Sequence, residues 1–287
     1  MYVVIPLKKT GIISAMILFI FVFAAMCQEK ATEEEITKAN ITERVTGAHE
    51  NVDTYKTNMK MNMDIVMGIE GEKMTMSVEM TTDGVIDEKN TEQMHTFEMG
   101  IKIEEANMSY TLRGEMYLQE NTLYMKMLGE WYKKELEDVS AMSQTDAFRD
   151  LLTASEILEM EETTRDGQQV YHLKLKPSLS ELVDSYTKTQ GLYQELGSLQ
   201  EQVQIEELEK AIKDFEVDYW VSKKDLRMVE IVMEMDLDMS DIPGAEGAEA
   251  EGSMVVRTKL TDYNKSVAIE VPEDAEYAKD WDEALEL

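Results

Sequence analysis

The sequence has little of what enzymes, nucleic-acid-binding proteins and disulfide-rich secreted domains are built from. Its 287 residues include one cysteine, three histidines and four prolines, and 28 lysines and arginines face 59 aspartates and glutamates, so the net charge is −31. One cysteine cannot form an intramolecular disulfide, so the fold must depend on a hydrophobic core. A surface this acidic repels phosphate backbones, which argues against nucleic acid as a partner.

Catalytic and cofactor-binding signatures are also missing. The sequence contains no Gly-x-Ser-x-Gly, His-Glu-x-x-His or Gly-x-Gly-x-x-Gly motif and no phosphate-binding lysine loop. The three histidines, His49, His95 and His172, lie in different predicted elements beside ordinary polar residues, and His172 is expected to be solvated. The sequence therefore predicts no enzyme, no cofactor and no metal site.

One long apolar run is present, at the N-terminus. Residues 11–27, GIISAMILFIFVFAAMC, follow Lys8 and Lys9 and precede the acidic segment QEKATEEE. This order is typical of a secretory signal, and the flanking charges place the rest of the chain outside the cytoplasm. We predict that residues 1–27 are a signal peptide or anchor and that residues 28–32 are a short linker.

Cys27 ends this apolar run, and the sequence AAMC resembles a lipobox, in which the cysteine becomes the lipid-modified N-terminus after cleavage. Met26 departs from the small residue that usually precedes such a cysteine. We predict lipidation at Cys27, which would anchor the protein to the outer face of the cell membrane. The alternative is an uncleaved anchor, because 17 apolar residues are at the lower limit for spanning a bilayer.

Most of the remaining chain alternates with a period of two residues. In TNMKMNMDIVMGIEGEKMTMSVEM, residues 57–80, methionine and isoleucine share one parity while lysine, asparagine and aspartate share the other. This pattern predicts a hairpin with one apolar face, and its return downstream after short turns predicts an antiparallel meander. Interruptions predict helices in 31–52, 143–160, 178–212 and 275–287, and a small-residue acidic loop in 240–252.

The methionines, 23 in total, have two interpretations. Copper(I) is bound by two or three converging thioethers, but alternate residues of one strand are about 7 Å apart. Methionine shares its face here with isoleucine, valine, phenylalanine and leucine, and it is a side chain that adapts to varied apolar partners. We therefore expect a core or cavity lining, with these candidate ligand-binding residues: Met59, Met61, Met63, Phe97, Met99, Ile101, Leu123, Met125 and Met127.

The order of several motifs resembles a known family. YKTNMKMNMDIVM, NTLYMKMLGEWYKKEL, YWVSKKDLRMVEIVMEMD and LTDYNKSVAIEVPEDA are similar to segments of exported lipoproteins of the LolA/LppX-like superfamily, in particular its methionine-rich branch. The resemblance implies an α+β fold in which helices cover the concave face of a strongly curved antiparallel sheet, an unclosed barrel. It implies one domain over residues 33–287 and a cavity that takes the acyl chains of lipids.

These observations lead to one functional hypothesis and two alternatives. The hypothesis is a membrane-anchored extracytoplasmic lipoprotein that binds a hydrophobic acyl or lipid ligand between sheet and helices. The alternatives are a structural or adhesive envelope module with a filled core and a methionine-rich copper(I)-binding surface protein. Three Asn-x-Ser/Thr sequons, at Asn40, Asn107 and Asn264, are candidate glycosylation sites in an exported chain.

Overall fold

The computed structural model describes residues 35–69, 72–136, 139, 143–178, 211–238 and 249–281. The predicted signal peptide, Cys27, the linker, the turn at 70–71, nearly all of the predicted helix 178–212 and most of the acidic loop lie outside these residues. Residues 35–40 form a turn, in which the N–H of Thr37 donates to Oδ1 of Asn40 at 2.8 Å. The chain from Ile41 onward forms a separate compact unit.

The described part of this second unit is mostly β-sheet, with two α-helices. Helices α1 and α2 span Ile41–His49 and Gln144–Thr153. The strands, in chain order β1 to β12, span Thr54–Ile69, Glu72–Asp87, Glu92–Ile103, Met108–Gln119, Thr122–Met127, Glu130–Glu135, Ser155–Arg165, Gln168–Pro177, Ile212–Ser222, Met228–Asp238, Glu249–Thr261 and Lys279–Asp280. A 3-10 helix, Glu273–Tyr277, precedes β12.

The strands form one large curved sheet that does not close. Their order is β12-β6-β5-β4-β3-β2-β1-β11-β10-β9-β8-β7. Neighbours are antiparallel except β12 and β6, which run parallel, so the sheet is two meanders joined by the long pairing of β1 with β11. The unclosed curved sheet and the strands of the predicted meander are confirmed. Neither helix within the described residues has the length and apolarity needed to cross a membrane.

Both helices are shorter than the sequence predicts. Helix α1 begins at Ile41 rather than near residue 33, and its buried side chains are Ile41, Val45 and His49. Helix α2 begins after Ser143, whose Oγ accepts the N–H of Asp146 at 3.2 Å. It ends at Thr153 because the following residues, from Ser155, pair with β8; the prediction of helix to residue 160 was wrong.

Two predictions near the C-terminus were also wrong. Residues 249–252, assigned to a loop without core content, begin strand β11, and Ala250 is buried. In the predicted terminal helix 275–287, residues 275–280 form the end of the 3-10 helix and β12 instead, and residues 282–287 lie outside the described residues. In this region Ala275 and Ala278 are buried against Tyr117 and Trp131, so small side chains let the chain exit pack closely on the sheet.

Candidate functional site

One face of the sheet carries almost no charged residues across nine adjacent strands, from β5 through β4, β3, β2, β1, β11, β10 and β9 to β8. The exception is Glu72, which the register places opposite Ile69 at the far end of the first hairpin. Residues opposite each other in an antiparallel pair project to the same side, and so do alternate residues of one strand. The register therefore assigns Met59, Thr82 and Phe97 to one side, and Thr258 and Ile231 join them across β11 and β10. We call this side the apolar face. Charged side chains on this side occur at β6 and β7, near the two edges.

The nine candidate residues all lie on the apolar face. Phe97, Met99 and Ile101 of β3 connect through β2 to Met59, Met61 and Met63 of β1. Met127 and Met125 of β5 connect through Gly114 and Met116 of β4 to β3, and Leu123 pairs with Leu118. The sequence thus placed these side chains together correctly. Their role in binding a ligand stays a prediction.

The apolar face is buried unevenly. At the end of the sheet near the helices its side chains are sealed: Leu173, Tyr219 and Ile231 are at most 1% exposed, and Tyr55 and Ile86 have no exposed surface. Farther along the strands, Met233 and Met235 of β10 are half-buried. In β1 to β4 the methionine-rich part is half-buried, and the exposed fraction reaches 40% at Met108 and 53% at Tyr110. Leu123 is the one buried member of the nine candidates. The methionines therefore border space that the described part of the chain does not fill.

Two glycines let aromatic rings approach the backbone of this face closely. A methyl group on Gly114 would overlap the ring of Phe97 and lie 2.6 Å from the backbone oxygen of Lys126. On Gly84 it would lie 2.5 Å from Nδ1 of His95 and 2.6 Å from Cγ2 of Thr57. Neither position has room for a side chain, so glycine is required at both. The rings of Phe97 and His95 occupy the space over these two glycines.

The apolar face has a few uncharged polar side chains, and two of them matter most. His95 is 4% exposed, and burial lowers the pKa of its imidazole to about 4, so the ring is neutral at pH 7. Its Nε2 lies 3.2 Å from Oε1 of Gln93. Thr57 is 5% exposed, and its Oγ1 has no hydrogen-bond partner in the structure. A buried hydroxyl without a partner is rare and costly.

The opposite face is charged and built around a buried carboxylate. Glu230 has no exposed surface, and it accepts hydrogen bonds from Nε of Arg165 and Nη1 of Arg257, both at 2.6 Å. Burial alone would raise the pKa of Glu230, but these two donors outweigh it and hold the pKa below its ordinary value. Arg165 also lies over the ring of Trp220, 4.2 Å from the ring centroid, so one cluster ties β7, β9, β10 and β11 together.

The histidines are less solvated than the sequence predicts. The ring of His172 stacks on Trp220 at 4.7 Å and bridges Glu161 and Asp218, and its side chain is 14% exposed. His49 is buried: its Nδ1–H donates to the carbonyl of Val45, and its Nε2 accepts the N–H of Met228. The expectation of a solvated His172 was wrong, because its strand neighbours cover it.

A polar cleft of about 440 Å³ lies at the end of the sheet near both helices. It is bordered by His49, by Glu88 and Gln93 from the second hairpin, and by Thr145 and Arg149 of α2. Glu88 is already occupied, since Tyr55 and Thr145 donate to it at 2.9 and 3.0 Å. These bonds hold α2 to the sheet, so we regard this cleft as structural.

The register brings methionines of neighbouring strands opposite one another. Met61, Met80 and Met99 form one such row, and Met63, Met254 and Met235 form another. Opposed residues have Cβ atoms about 5 Å apart, so the spacing along one strand does not by itself prevent thioethers from meeting. The described residues hold no group of three or more His, Cys, Asp or Glu side chains that could bind a metal ion.

The sequence pattern alone did not mark Thr57, Gly84 or Glu230, and it gave His95 no role. Parity could have placed Thr57 and His95 on the apolar face, because each keeps the phase of its neighbouring methionines or phenylalanine. A polar residue in phase with an apolar stripe is the signal that could have marked them. Glu230 gave no such signal, since it lies in the charged phase of its strand.

Comparison with known proteins gives a family match and several similar solved structures. Residues 37–280 match the model of DUF6612, a family of unknown function. No curated protein matches the chain. Among solved structures, LprF from Mycobacterium bovis is 10% identical with a TM-score of 0.42, covering 82% of this chain and 96% of its own. The lipoprotein LppX of Mycobacterium tuberculosis is 11% identical with a TM-score of 0.38, covering 81% and 98%. At these scores neither neighbour carries an argument about function.

Proposed function

Since the chain belongs to DUF6612, a family of unknown function, we propose its role from its own sheet: it binds the acyl chain of a lipid on the methionine-rich part of the apolar face. The observation that carries the proposal is the combination of nine strands almost free of charged residues on one face with half-buried methionines in β1 to β4. A filled core would bury these methionines as completely as the side chains of the same face near the helices, such as Tyr55 and Ile231.

The amount of apolar surface and the flexibility of its methionine side chains both favour binding of an acyl chain. Burying hydrocarbon is favourable by about 0.8 kcal/mol per methylene, so a partly enclosed groove suffices to hold a chain. Methionine side chains are unbranched and adjust to the shape of a mobile tail. We propose that helices cover the concave face and leave a groove along β1 to β4. The burial of Leu151 and Leu152 in α2 and the contact of α2 with β8 support this. We propose binding and no catalysis.

The test compares two tryptophan substitutions at adjacent residues of β3. Ile101→Trp places an indole on the apolar face, whereas Lys102→Trp places it on the opposite face, where Lys102 is exposed. We expect Ile101→Trp to weaken binding of a fluorescent acyl probe at least tenfold, because the indole occupies the groove, and Lys102→Trp to bind as the wild type does.

Urea unfolding of both variants separates this proposal from the structural-module alternative. An open groove accepts the indole with little change in the unfolding midpoint, whereas overpacking a filled core costs about 1–3 kcal/mol. Loss of stability in Ile101→Trp alone, together with no probe binding by the wild type, would leave the structural module as the better account.

A copper(I) site is the second candidate, and the rows of opposed methionines are the observation that favours it. We expect no such site, because isoleucine, valine and phenylalanine occupy the same face as the thioethers. Titration with copper(I) in the presence of a strong competing chelator should show no stoichiometric binding. Retention of one copper ion per chain that is lost in the triple variant Met61→Leu, Met80→Leu, Met99→Leu would overturn this expectation.

We also propose that the protein is extracytoplasmic and is held at the outer face of the membrane through Cys27, or through an uncleaved residue 11–27 anchor. The support is the basic-apolar-acidic order of the N-terminus with the only cysteine at its end. Cys27→Ser should abolish labelling by an alkyne fatty acid and should either release protein into the medium or leave it unprocessed. Met26→Ala, which supplies the small residue typical of a lipobox, should keep the label. Unchanged size, labelling and fractionation in Cys27→Ser would exclude lipidation.

A further inference from the structure

The groove has a polar end. Thr57, Gly84 and His95 lie opposite one another on β1, β2 and β3, one row closer to the helices than Met59 and Phe97. Gly84 has no side chain, and Cγ2 of Thr57 and the Nδ1 edge of His95 lean over it from either side. This row is therefore a small polar patch at the end of the methionine stripe.

Some hydrogen-bond donors and acceptors of this patch have no partner in the structure. Oε1 of Gln93 can only accept, so the Nε2 of neutral His95 carries the proton that is donated to it, and Nδ1 is left as an acceptor. Thr57 Oγ1, which can donate and accept, has no partner although the residue is 95% buried. Together the two side chains offer one donor and two acceptors, the set that complements a hydroxyl group.

The surroundings favour an uncharged partner. On the apolar face of β1 to β4 the register places no Lys or Arg, and its one carboxylate residue, Glu72, lies at the far end of the first hairpin. An anionic headgroup at this patch would therefore be desolvated without a cation of this face to pair with. Burying an unpaired charge costs far more than burying a hydroxyl that finds hydrogen bonds. From Met59 to Met67 the stripe of β1 extends about 26 Å away from the patch, which gives an acyl tail one direction in which to lie.

We infer that the ligand is an uncharged, hydroxyl-bearing acyl lipid of the monoacylglycerol or fatty-alcohol class, whose hydroxyl is bound at Thr57 and His95 while its tail follows Met59, Met61 and Met63. This inference rests on the proposed acyl-chain function and specifies the ligand's head and orientation. Thr57 acts here as a ligand-binding residue, and Gly84 provides the clearance.

The experiment uses the full chain and three probes that share a hydrophobic part but differ in the head. Diphenylhexatriene, which has no polar head, reports occupancy of the groove by its fluorescence. Monomyristoylglycerol and myristate, which is ionised at pH 8, compete with it. We expect monomyristoylglycerol to displace diphenylhexatriene at a concentration at least tenfold below that required for myristate.

Substitution of Thr57 locates the head. Thr57→Val should weaken competition by monomyristoylglycerol about 2- to 10-fold, the range of one net hydrogen bond, and leave direct binding of diphenylhexatriene unchanged. Thr57→Ser should restore competition. Thr96→Val, which replaces an exposed threonine on the opposite face of β3, should have no effect. Because Thr57→Val removes an unpartnered hydroxyl, its urea midpoint should equal or exceed that of the wild type, so a loss of binding cannot come from unfolding.

The outcomes separate two failures. If the wild type binds neither diphenylhexatriene nor monomyristoylglycerol, the acyl-chain function fails and the inference fails with it. The second outcome is that the wild type binds both, with monomyristoylglycerol displacing diphenylhexatriene equally well from Thr57→Val. In that case the hydroxyl of Thr57 bonds only water, so the inference is wrong while the acyl-chain function stands. Equal competition by myristate would likewise overturn the uncharged head.

Discussion

Replacing Glu230 by alanine is expected to lower the free energy of unfolding by about 3 kcal/mol, the scale observed when one partner of a buried ion pair is removed. Glu230 has no exposed surface, and Arg165 and Arg257 both donate to it. Without the carboxylate these two cations approach each other on one face of the sheet with nothing between them. Arg165 also loses the bond that holds it over Trp220.

Urea unfolding at pH 7 measures this loss, and Glu234→Ala is its control. Glu234 lies on the same strand and the same face but is exposed, so its removal should change stability by less than about 0.5 kcal/mol. Glu230→Gln, which keeps the shape but removes the charge, should fall between the two. Equal stabilities of Glu230→Ala and Glu234→Ala would show that the carboxylate cluster does not hold the strands together.

Acidification from pH 7.5 to 4.5 is expected to destabilise the protein by about 2–3 kcal/mol through His95 alone. Burial lowers the pKa of His95 to about 4 in the folded state, from 6.5 in the unfolded chain. Between these two values the unfolded state binds the proton and the folded state does not, so stability is fully present above pH 6.5 and falls as the pH approaches 4. Burial lowers the pKa of His49 in the same direction.

The variant His95→Gln isolates this effect, because glutamine is polar and does not titrate in this range. Its unfolding free energy, measured in urea at pH 7.5 and at pH 4.5, should change by about 2–3 kcal/mol less than that of the wild type. If the two proteins lose the same stability between these pH values, His95 is not buried in its neutral form, and the polar end of the groove would need another description.

The sequence predicted the sheet well, because two-residue alternation follows directly from the geometry of a strand. Residues 57–80 were correctly predicted to form the first hairpin. Asp166–Gly167, a dipeptide typical of tight hairpins, forms the turn between β7 and β8 with φ angles of 51° and 80°. The grouping of Phe97, Met99 and Ile101 with Met59, Met61 and Met63 followed from parity alone. Parity specifies which face a residue occupies, which is why the candidate side chains came together.

The features that could not be predicted from the sequence depend on contacts between residues distant along the chain. Residues 155–160, SEILEM, fit both a helical and a strand period, and pairing with β8 decides between them. The alternation in β10 predicts that Glu230 is exposed, but Arg165 of β7 and Arg257 of β11 bind its carboxylate and bury it. The unequal burial of the apolar face has the same origin. Met61 and Val217 are equally apolar in sequence, yet Val217 is 2% exposed and Met61 is half-buried.

We propose above all that the half-buried methionine stripe holds a lipid. Native mass spectrometry tests this most directly, with the full chain purified without detergent or added lipid. The comparison is between masses under native and denaturing conditions, because a lipid attached covalently at Cys27 appears in both. The account predicts a native-only mass excess of one acyl-bearing molecule per chain, present in Lys102→Trp and reduced in Ile101→Trp. Identical native and denatured masses for the wild-type chain would contradict it.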